Sequence, residues 1–242
     1  MMAKVLIIVP CYNEGETICN TLLELKANLK AGATVVYDVL VINDCSTDNS
    51  LVEIQKSKTE VINLPLNLGI GGAMQTGFEY AKRHKYDIAI QFDGDGQHDS
   101  SFIPDLLQPI KEERAQVVIG SRFINKEGFQ SNYLRRLGIK YFSYLNALLV
   151  GVKILDVTSG FRALNVDAIQ TVCDYYPENY PEPESIILFK KDQLNVVEVP
   201  VLMRSRQGGK SSINGFDTFF YMFKVTISSI LLYIRMKLSK QL

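Results

Sequence analysis

Seven consecutive residues, Asp93-Gly94-Asp95-Gly96-Gln97-His98-Asp99, carry three carboxylates, an amide and an imidazole. Behind a buried strand, the alternate side chains Asp93, Asp95 and Gln97 project toward one centre, and the glycines let the backbone turn. Hard oxygen donors of this kind suit Mg2+ or Mn2+, which bind through one or two carboxylates together with substrate phosphates. A metal so held neutralises a diphosphate leaving group. A helix-loop-helix calcium site begins similarly, but its twelfth position falls on Pro104 rather than on an acid. A solvated acidic turn is the plain alternative. For His98 a structural hydrogen bond is a simpler expectation than metal ligation.

A second stretch, Asn67-Leu68-Gly69-Ile70-Gly71-Gly72-Ala73, stands before a helix-like segment. It has neither the G-x-G-x-x-G spacing of a dinucleotide fold nor the Lys-Ser/Thr of a P-loop. Its glycines either expose N–H groups to an anion or serve turning and close packing.

These residues need a frame. Residues 5–9, 35–42, 61–64, 87–92 and 117–119 read as strands. Residues 16–29, 73–83 and 103–110 read as helices, as does a segment ending near Lys56, capped by Ser46 or Thr47 with Asp48 in its first turn. Beyond Arg122 come helices over 133–150 and 165–174, a proline-rich turn at 177–183, a strand over 196–201 and a hydrophobic C-terminal helix. Strands alternating with helices imply right-handed βαβ units, a largely parallel sheet and ligands beyond the strands' carboxyl ends. Three such ends carry PCYNE (10–14), NDCSTD (43–48) and DGDGQH (93–98), so the site is expected where they converge.

The chain has 242 residues, 47% of them hydrophobic, ample for a core without staples. Disordered, collagen-like and disulfide-miniprotein classes are excluded. Lys and Arg number 26 against 26 Asp and Glu, which argues against bulk capture of nucleic acid. The N-terminal apolar run is too short for a signal-peptide core, and no run approaches the ~20 residues of a spanning helix. Cys11, Cys19, Cys45 and Cys173 form no C-x-x-C pair, as expected of reduced thiols in the cytoplasm.

In order along the chain, VPCYNE (9–14), NDCSTD (43–48), NLGIGGA (67–73), QFDGDGQHD (91–99), GSRF (120–123), SGFRA (159–163) and RQGGKSS (206–212) resemble the family 2 glycosyltransferases of the GT-A fold. The branch they resemble is that of dolichyl-phosphate mannose synthase and the bacterial polyprenyl-phosphate glycosyltransferases. The resemblance implies a single α/β GT-A (Rossmann-like) domain over 1–213, its central sheet mostly parallel and flanked by helices. A C-terminal amphipathic helix follows at 214–242. Pro10, Tyr12, Glu14, Asp44 and Asp93 would hold the nucleotide. Asp93 and Asp95 match the D-x-D motif, with Gln97 beside them, as ligands of Mg2+ or Mn2+. Arg122, Arg206 and Lys210 would face phosphates, Arg135 and Arg136 the lipid phosphate, and Ser159, Gly160 and Arg162 the acceptor side. Catalytic roles would fall on Asp95, Arg122, Arg206 and Glu184, with Glu182 beside the last as a second candidate base. The chain departs from the family where Asn43 replaces the first of two aspartates, where the basic residue of the R-x-x-G-x-S-K ending moves to Lys210, and where Ile139 follows Arg135-Arg136-Leu137-Gly138.

The implied reaction is inverting, metal-dependent transfer of a sugar from a UDP- or GDP-linked donor to undecaprenyl or dolichyl phosphate. A phosphate monoester has a second pKa near ~6 and is already a nucleophilic anion near neutrality. Alternatives are transfer to a saccharide hydroxyl in cell-surface polysaccharide synthesis, which needs a carboxylate base, and an inactive nucleotide-sugar-binding subunit. In the C-terminal helix Phe219, Phe220, Phe223, Ile227, Ile230, Leu231, Ile234 and Leu238 form one stripe, and Arg235, Lys237 and Lys240 end it with positive charge. That suits an anionic membrane surface or a separate membrane subunit, and a core-packing helix is the rival. The expected location is cytoplasmic and peripheral on the inner face of the membrane, with no nucleic-acid partner and with room for a homo-oligomer.

Overall fold

Every residue from Val5 to Val9 is buried, so β1 (Ala3–Cys11) is covered on both faces. Leu6 and Ile8 point to one side, with Leu40 and Ile42 of β2 (Val35–Asn43), under Met74 and Phe78 of α3 (Gly69–Arg83). Val5, Ile7 and Val9 point to the other, against Ile18, Leu22 and Leu25 of α1 (Ile18–Asn28). This period-two alternation builds two apolar layers on one sheet. The computed structural model describes residues 2–29, 35–130, 133–205 and 217–238, with side chains of the last segment from residue 222.

The remaining strands are β3 (Glu60–Asn63), β4 (Ile88–Gln91), β5 (Val117–Ser121), β6 (Arg162–Asn165) and β7 (Val196–Pro200). Their order is β3-β2-β1-β4-β6-β5-β7, and only β6 runs antiparallel, to both β4 and β5. The chain moves outward from β1 to β2 and β3, then returns to the other side of β1 with β4. The order reverses there, and the carboxyl ends of β1, β2 and β4 share one edge. Such a switch point is where ligands bind in open α/β sheets. The fold is the GT-A-like, mostly parallel α/β domain that the motifs imply.

Helix α2 (Ser50–Lys56) and α4 (Ile103–Lys111) share the layer of α1. The layer of α3 also holds α5 (Tyr133–Val150), α6 (Val166–Asp174) and α7 (Pro181–Lys191). The last helix, α8 (Asp217–Leu238), lays Val225 into this layer and packs Leu232 on Ile187 and Leu188 of α7. The outward stripe of α8 includes Phe223, Ile227, Leu231, Ile234 and Leu238, all exposed. Among the described residues, no helix is long and apolar enough to cross a membrane.

Three local expectations are corrected. Helix α2 starts at Ser50, because the Asp48 carboxylate takes the Ser50 N–H (2.9 Å) while Ser46 and Thr47 reach back to Asn13. The turn expected at 177–183 ends early: Pro181 opens α7, a position where a fixed φ and a missing N–H cost nothing. Strand β6 carries no strand signal in sequence, since its four residues, RALN, begin with a charge and show no alternation.

Candidate active site

The loops after β1 and β2 are sewn together before any ligand is considered. Asn13, at φ 54°, accepts the Thr47 N–H (2.8 Å) and donates its own N–H to Ser46 Oγ (3.1 Å). Ser50 Oγ accepts the Glu14 N–H (2.9 Å), and Asp48 Oδ2 accepts the Gly15 N–H (3.0 Å). Desolvation would raise the Asp48 carboxyl, but the Ser50 hydroxyl and N–H and the Gly15 N–H all donate to it and hold it below its usual range. Asp44 Oδ1 accepts the Leu68 N–H (2.7 Å), tying the glycine-rich start of α3 to the end of β2. Asn43 turns inward to Asn63 and Ser46, so the amide at this position works as a loop brace.

The acidic segment after β4 is held as firmly. The Asp93 N–H donates to His98 Nδ1 (3.0 Å), which leaves the ring proton on Nε2, 3.4 Å from Asp93 Oδ2. His98 is buried, stacked on Phe161 at 4.8 Å and edge-on to Phe92 at 5.4 Å. One imidazole thus braces both backbone and carboxylate of Asp93. Asp95, also buried, accepts the Gln97 N–H (3.0 Å). Opposite, Gly160 lies so close that a Cβ there would stand 2.7 Å from Gln91 Nε2 and 3.0 Å from Asp93 Oδ1.

Between these walls lies a cleft of about 1010 Å3. Pro10, Tyr12, Glu14, Asp44, Asp93 and Asp95 line it, with Asn67, Gly69, Ile70 and Ala73 at the α3 end. The cleft also receives Glu16, Asp48 and Glu182, making seven carboxylates and no Lys or Arg among the described lining residues. Glu182 accepts from Gln91 Nε2 (3.4 Å), and burial pushes its carboxyl up against the opposing pull of Arg162. Cys11 lines the floor, but burial pushes its thiol up to about 11, which removes it as a thiolate nucleophile.

The model of the family described as glycosyl transferase family 2 matches residues 6–173, which contain the cleft-lining loops after β1, β2 and β4. The chain belongs to this family. It is 29% identical over 250 residues to a UDP-N-acetylglucosamine–dolichyl-phosphate N-acetylglucosaminyltransferase of Methanococcus voltae, covering 93% of this chain and 97% of that one. It is 28% identical over 221 residues to an undecaprenyl-phosphate mannosyltransferase of Micrococcus luteus, covering 88% of each. Among solved structures, glucosyl-3-phosphoglycerate synthase of Mycobacterium tuberculosis, bound to Mn2+, UDP and glucosyl-3-phosphoglycerate, superposes with a TM-score of 0.74. It is 19% identical, over 96% of this chain and 80% of that one, which shows the shared fold.

In this glycosyltransferase the nucleotide set expected from the motifs, Pro10, Tyr12, Glu14, Asp44 and Asp93, does come together in one cleft. Several other expected residues do not reach it. Arg122 is corrected from a phosphate ligand to a buried brace. Its Nε and Nη2 bind both oxygens of Asp156 (2.7 and 2.6 Å) and its N–H a third time (3.1 Å). Arg162 likewise spends its guanidinium on the carbonyls of Val157, Ser159 and Glu182 and on Ser185 Oγ, fastening the 157–160 loop to α7. Ser159 is buried and caps the same turn through the Phe161 N–H (3.3 Å). Gln97 lies outside the cleft lining, its amide 3.5 Å from the Arg204 carbonyl.

Glu184 is corrected as well. It faces α8, where Ser228 is its polar neighbour, and burial pushes its carboxyl up; Glu182 is the glutamate on the cleft. Helical geometry explains the swap, since residues two apart face different ways. Arg204 pairs with Glu24 (2.7 Å) and Asp99 (3.1 Å) and is occupied there. Arg135 and Arg136 stand in the first turn of α5, outside the cleft lining. Arg206 and Lys210 lie outside the described residues.

Sequence reasoning missed Asp156 and Glu198. Asp156 is the one charge in the run Ile154-Leu155-Asp156-Val157, which marks it as a buried acid but does not name its partner. Glu198 accepts the N–H groups of Leu155 (2.7 Å) and Asp156 (2.8 Å) and so fixes the brace.

Proposed function

We propose that this glycosyltransferase moves a sugar, with inversion, from a nucleoside-diphosphate donor to a polyprenyl phosphate at a membrane surface. The observation carrying the reading is the placement of Asp93 and Asp95 at the switch point, in one cleft with Pro10, Tyr12, Glu14 and Asp44. The described lining of the cleft carries seven carboxyl groups and no Lys or Arg, so a diphosphate needs positive charge brought to it, from a metal ion and from the basic 206–210 motif. Two carboxylates, with no cage of three acidic, His or Cys ligands among the described residues, fit Mg2+ or Mn2+ taking the rest from phosphate and water. When bound, such an ion stabilises the departing diphosphate. The solved neighbours with UDP and either Mn2+ or Mg2+ support the same donor set.

The chain's own residues then position the donor. Asp44, through Leu68, fixes the α3 end of the cleft, while His98 and Gly160 fix Asp93. Arg206 and Lys210, by their motif, meet the diphosphate. A phosphate acceptor is already an anionic nucleophile and needs no general base. Relatives that carry dolichyl- or undecaprenyl-phosphate in their names support this acceptor class. Purified protein with Mg2+ or Mn2+, UDP- and GDP-sugars and a short polyprenyl phosphate is expected to form an organic-extractable glycolipid. Chelation or Asp95→Ala is expected to abolish it.

A second reading rests on Glu182, whose raised carboxyl on the cleft wall suits accepting a proton from a saccharide hydroxyl. Turnover with a saccharide but not with polyprenyl phosphate, lost in Glu182→Gln, would establish it in place of the first.

A further inference from the structure

The two carboxylates at the switch point have holders, and the holders share one neighbour. His98 braces Asp93, and the Gln97 N–H donates to the Asp95 carboxylate (3.0 Å). Gln97 and His98 in turn pair with the segment that follows β7. The Arg204 N–H donates to the Gln97 carbonyl (2.9 Å), and His98 forms an antiparallel bridge with Met203. Met203 is buried in the apolar layer of α1, and its carbonyl accepts the Phe129 N–H (2.9 Å). The Gln97 backbone thus connects the Asp95 carboxylate on one side to Arg204 on the other.

The Arg204 side chain reaches across to a second support. Its Nη1 meets Glu24 of α1 (2.7 Å), and its Nη2 meets Asp99 at the far end of the acidic loop (3.1 Å). The other Asp99 oxygen accepts the Ser101 N–H (3.0 Å) and hydroxyl (2.7 Å). Helix α1 touches the same loop through the Thr17 hydroxyl to the Gly94 carbonyl (3.5 Å), and again through the Asn28 amide to Ser100 Oγ (2.9 Å). The acidic loop is therefore splinted between α1 and residues 203–204, and Arg204 belongs to one splint while gripping the other.

Both ion pairs are partly exposed, with 37% of the Arg204 side chain accessible, so they add little to global stability. A guanidinium is nevertheless a rigid planar fork that holds two acids in a fixed relation. We infer that Arg204 is a positioning residue of the metal-binding loop: its clasp on Glu24 and Asp99 keeps Gln97 and His98 paired with residues 203–204, and through them sets Asp95 and Asp93 for the divalent ion. The inference rests on the metal-dependent reading above and adds the residue that pre-sets its two carboxylates.

The test uses the full chain with Arg204→Gln, Arg204→Lys and Glu24→Gln, none of which changes a cleft-lining residue. Mn2+ is titrated in the presence of UDP or GDP, and the free ion is followed by electron paramagnetic resonance. Losing a partner behind metal ligands typically weakens metal binding about 10–100-fold, and Arg204→Gln is expected to fall in that range with a Tm close to the wild type. Arg204→Lys, which reaches one acid at a time, and Glu24→Gln, which keeps the Asp99 prong, should lie between. A second readout needs no metal: amide hydrogen exchange over residues 94–101 should quicken in Arg204→Gln, while that of β1 stays as it was. Unchanged Mn2+ binding in Arg204→Gln overturns the inference. So does weaker binding with no change of exchange in the loop, because Arg204 would then act through its charge alone. Faster exchange throughout the sheet with a lowered Tm overturns it too, since the residue would be holding the fold at large. Quickened loop exchange in the variant, with no Mn2+ uptake by the wild type, would keep the clasp and sink the metal reading instead.

Discussion

The backbone of Gly160 lies close beside the Asp93 carboxylate: a Cβ there would meet Oδ1 at 3.0 Å and Oδ2 at 3.2 Å, so the carboxylate would have to give way. Asp93 is therefore positioned from behind by one residue of β4's antiparallel neighbour loop and from the side by His98. A carboxylate that must hold a metal and a diphosphate gains from this, because its geometry is set before the donor arrives.

Gly160→Ala should consequently act on chemistry more than on folding. The added methyl displaces the Asp93 side chain or the Gln91 amide, which it would meet at 2.7 Å. A misplacement of about 1 Å near reacting atoms costs about a hundredfold in rate. Steady-state kinetics with varied Mn2+ should show kcat lowered, by up to that order, and the apparent metal requirement raised. A normal rate would mean that Asp93 tolerates movement.

His98 offers a finer dissection of the same brace. Asn carries an oxygen close to where Nδ1 stands, so His98→Asn should keep the bond from the Asp93 N–H and lose the contact to Oδ2. His98→Ala loses both and also the stacking on Phe161. The expected order of activity is wild type, then Asn, then Ala. Equal losses in the two variants would show that only the ring's packing matters.

What the residues revealed in advance divides along physical lines. The strand-end loops were legible because buried parallel strands are continuous apolar runs, and the polar turns interrupting them must be where ligands go. That rule marks the three loops, the family resemblance picks out Asp93, Asp95, Asp44, Tyr12 and Glu14 within them, and these residues do share a cleft. Arg122 and Arg162 have partners the motifs do not show, because an arginine in a motif reads the same whether it points at a phosphate or at a buried acid. Arg122 is matched by Asp156, thirty-four residues away, and no local pattern announces such a pairing. Helical phase misled in the same way at Glu182 and Glu184, because the segment looked like a turn and turns have no facing sides.

The Arg122–Asp156 pair carries its own prediction. Both groups are buried, and removing one partner of such a pair typically costs about 3–5 kcal/mol. Asp156→Ala should lower stability in urea unfolding by that order. Arg122→Lys cannot reproduce the two-pronged contact and should also destabilise. If Arg122 instead served the diphosphate, Arg122→Lys would raise the donor KM and leave the unfolding midpoint where it was.

Glu184 makes stability depend on pH in a predictable direction. Burial against α8 raises its carboxyl pKa in the folded protein above the value in the unfolded chain, about 4.3. A raised pKa means that folding binds a proton. The favourable contribution is complete below the unfolded pKa and is lost as pH rises through the folded one. Above that point the ionised carboxylate sits in an apolar setting with Ser228 as its polar neighbour. Glu184→Gln keeps the shape and the hydrogen-bonding ability but cannot ionise. Its Tm should match the wild type near pH 4, exceed it as pH rises above the unfolded value, and hold a constant lead once the folded pKa is passed. Thermal unfolding of both proteins across that range checks the sign, and a Tm difference that stays flat would show that Glu184 titrates as it does in the unfolded chain.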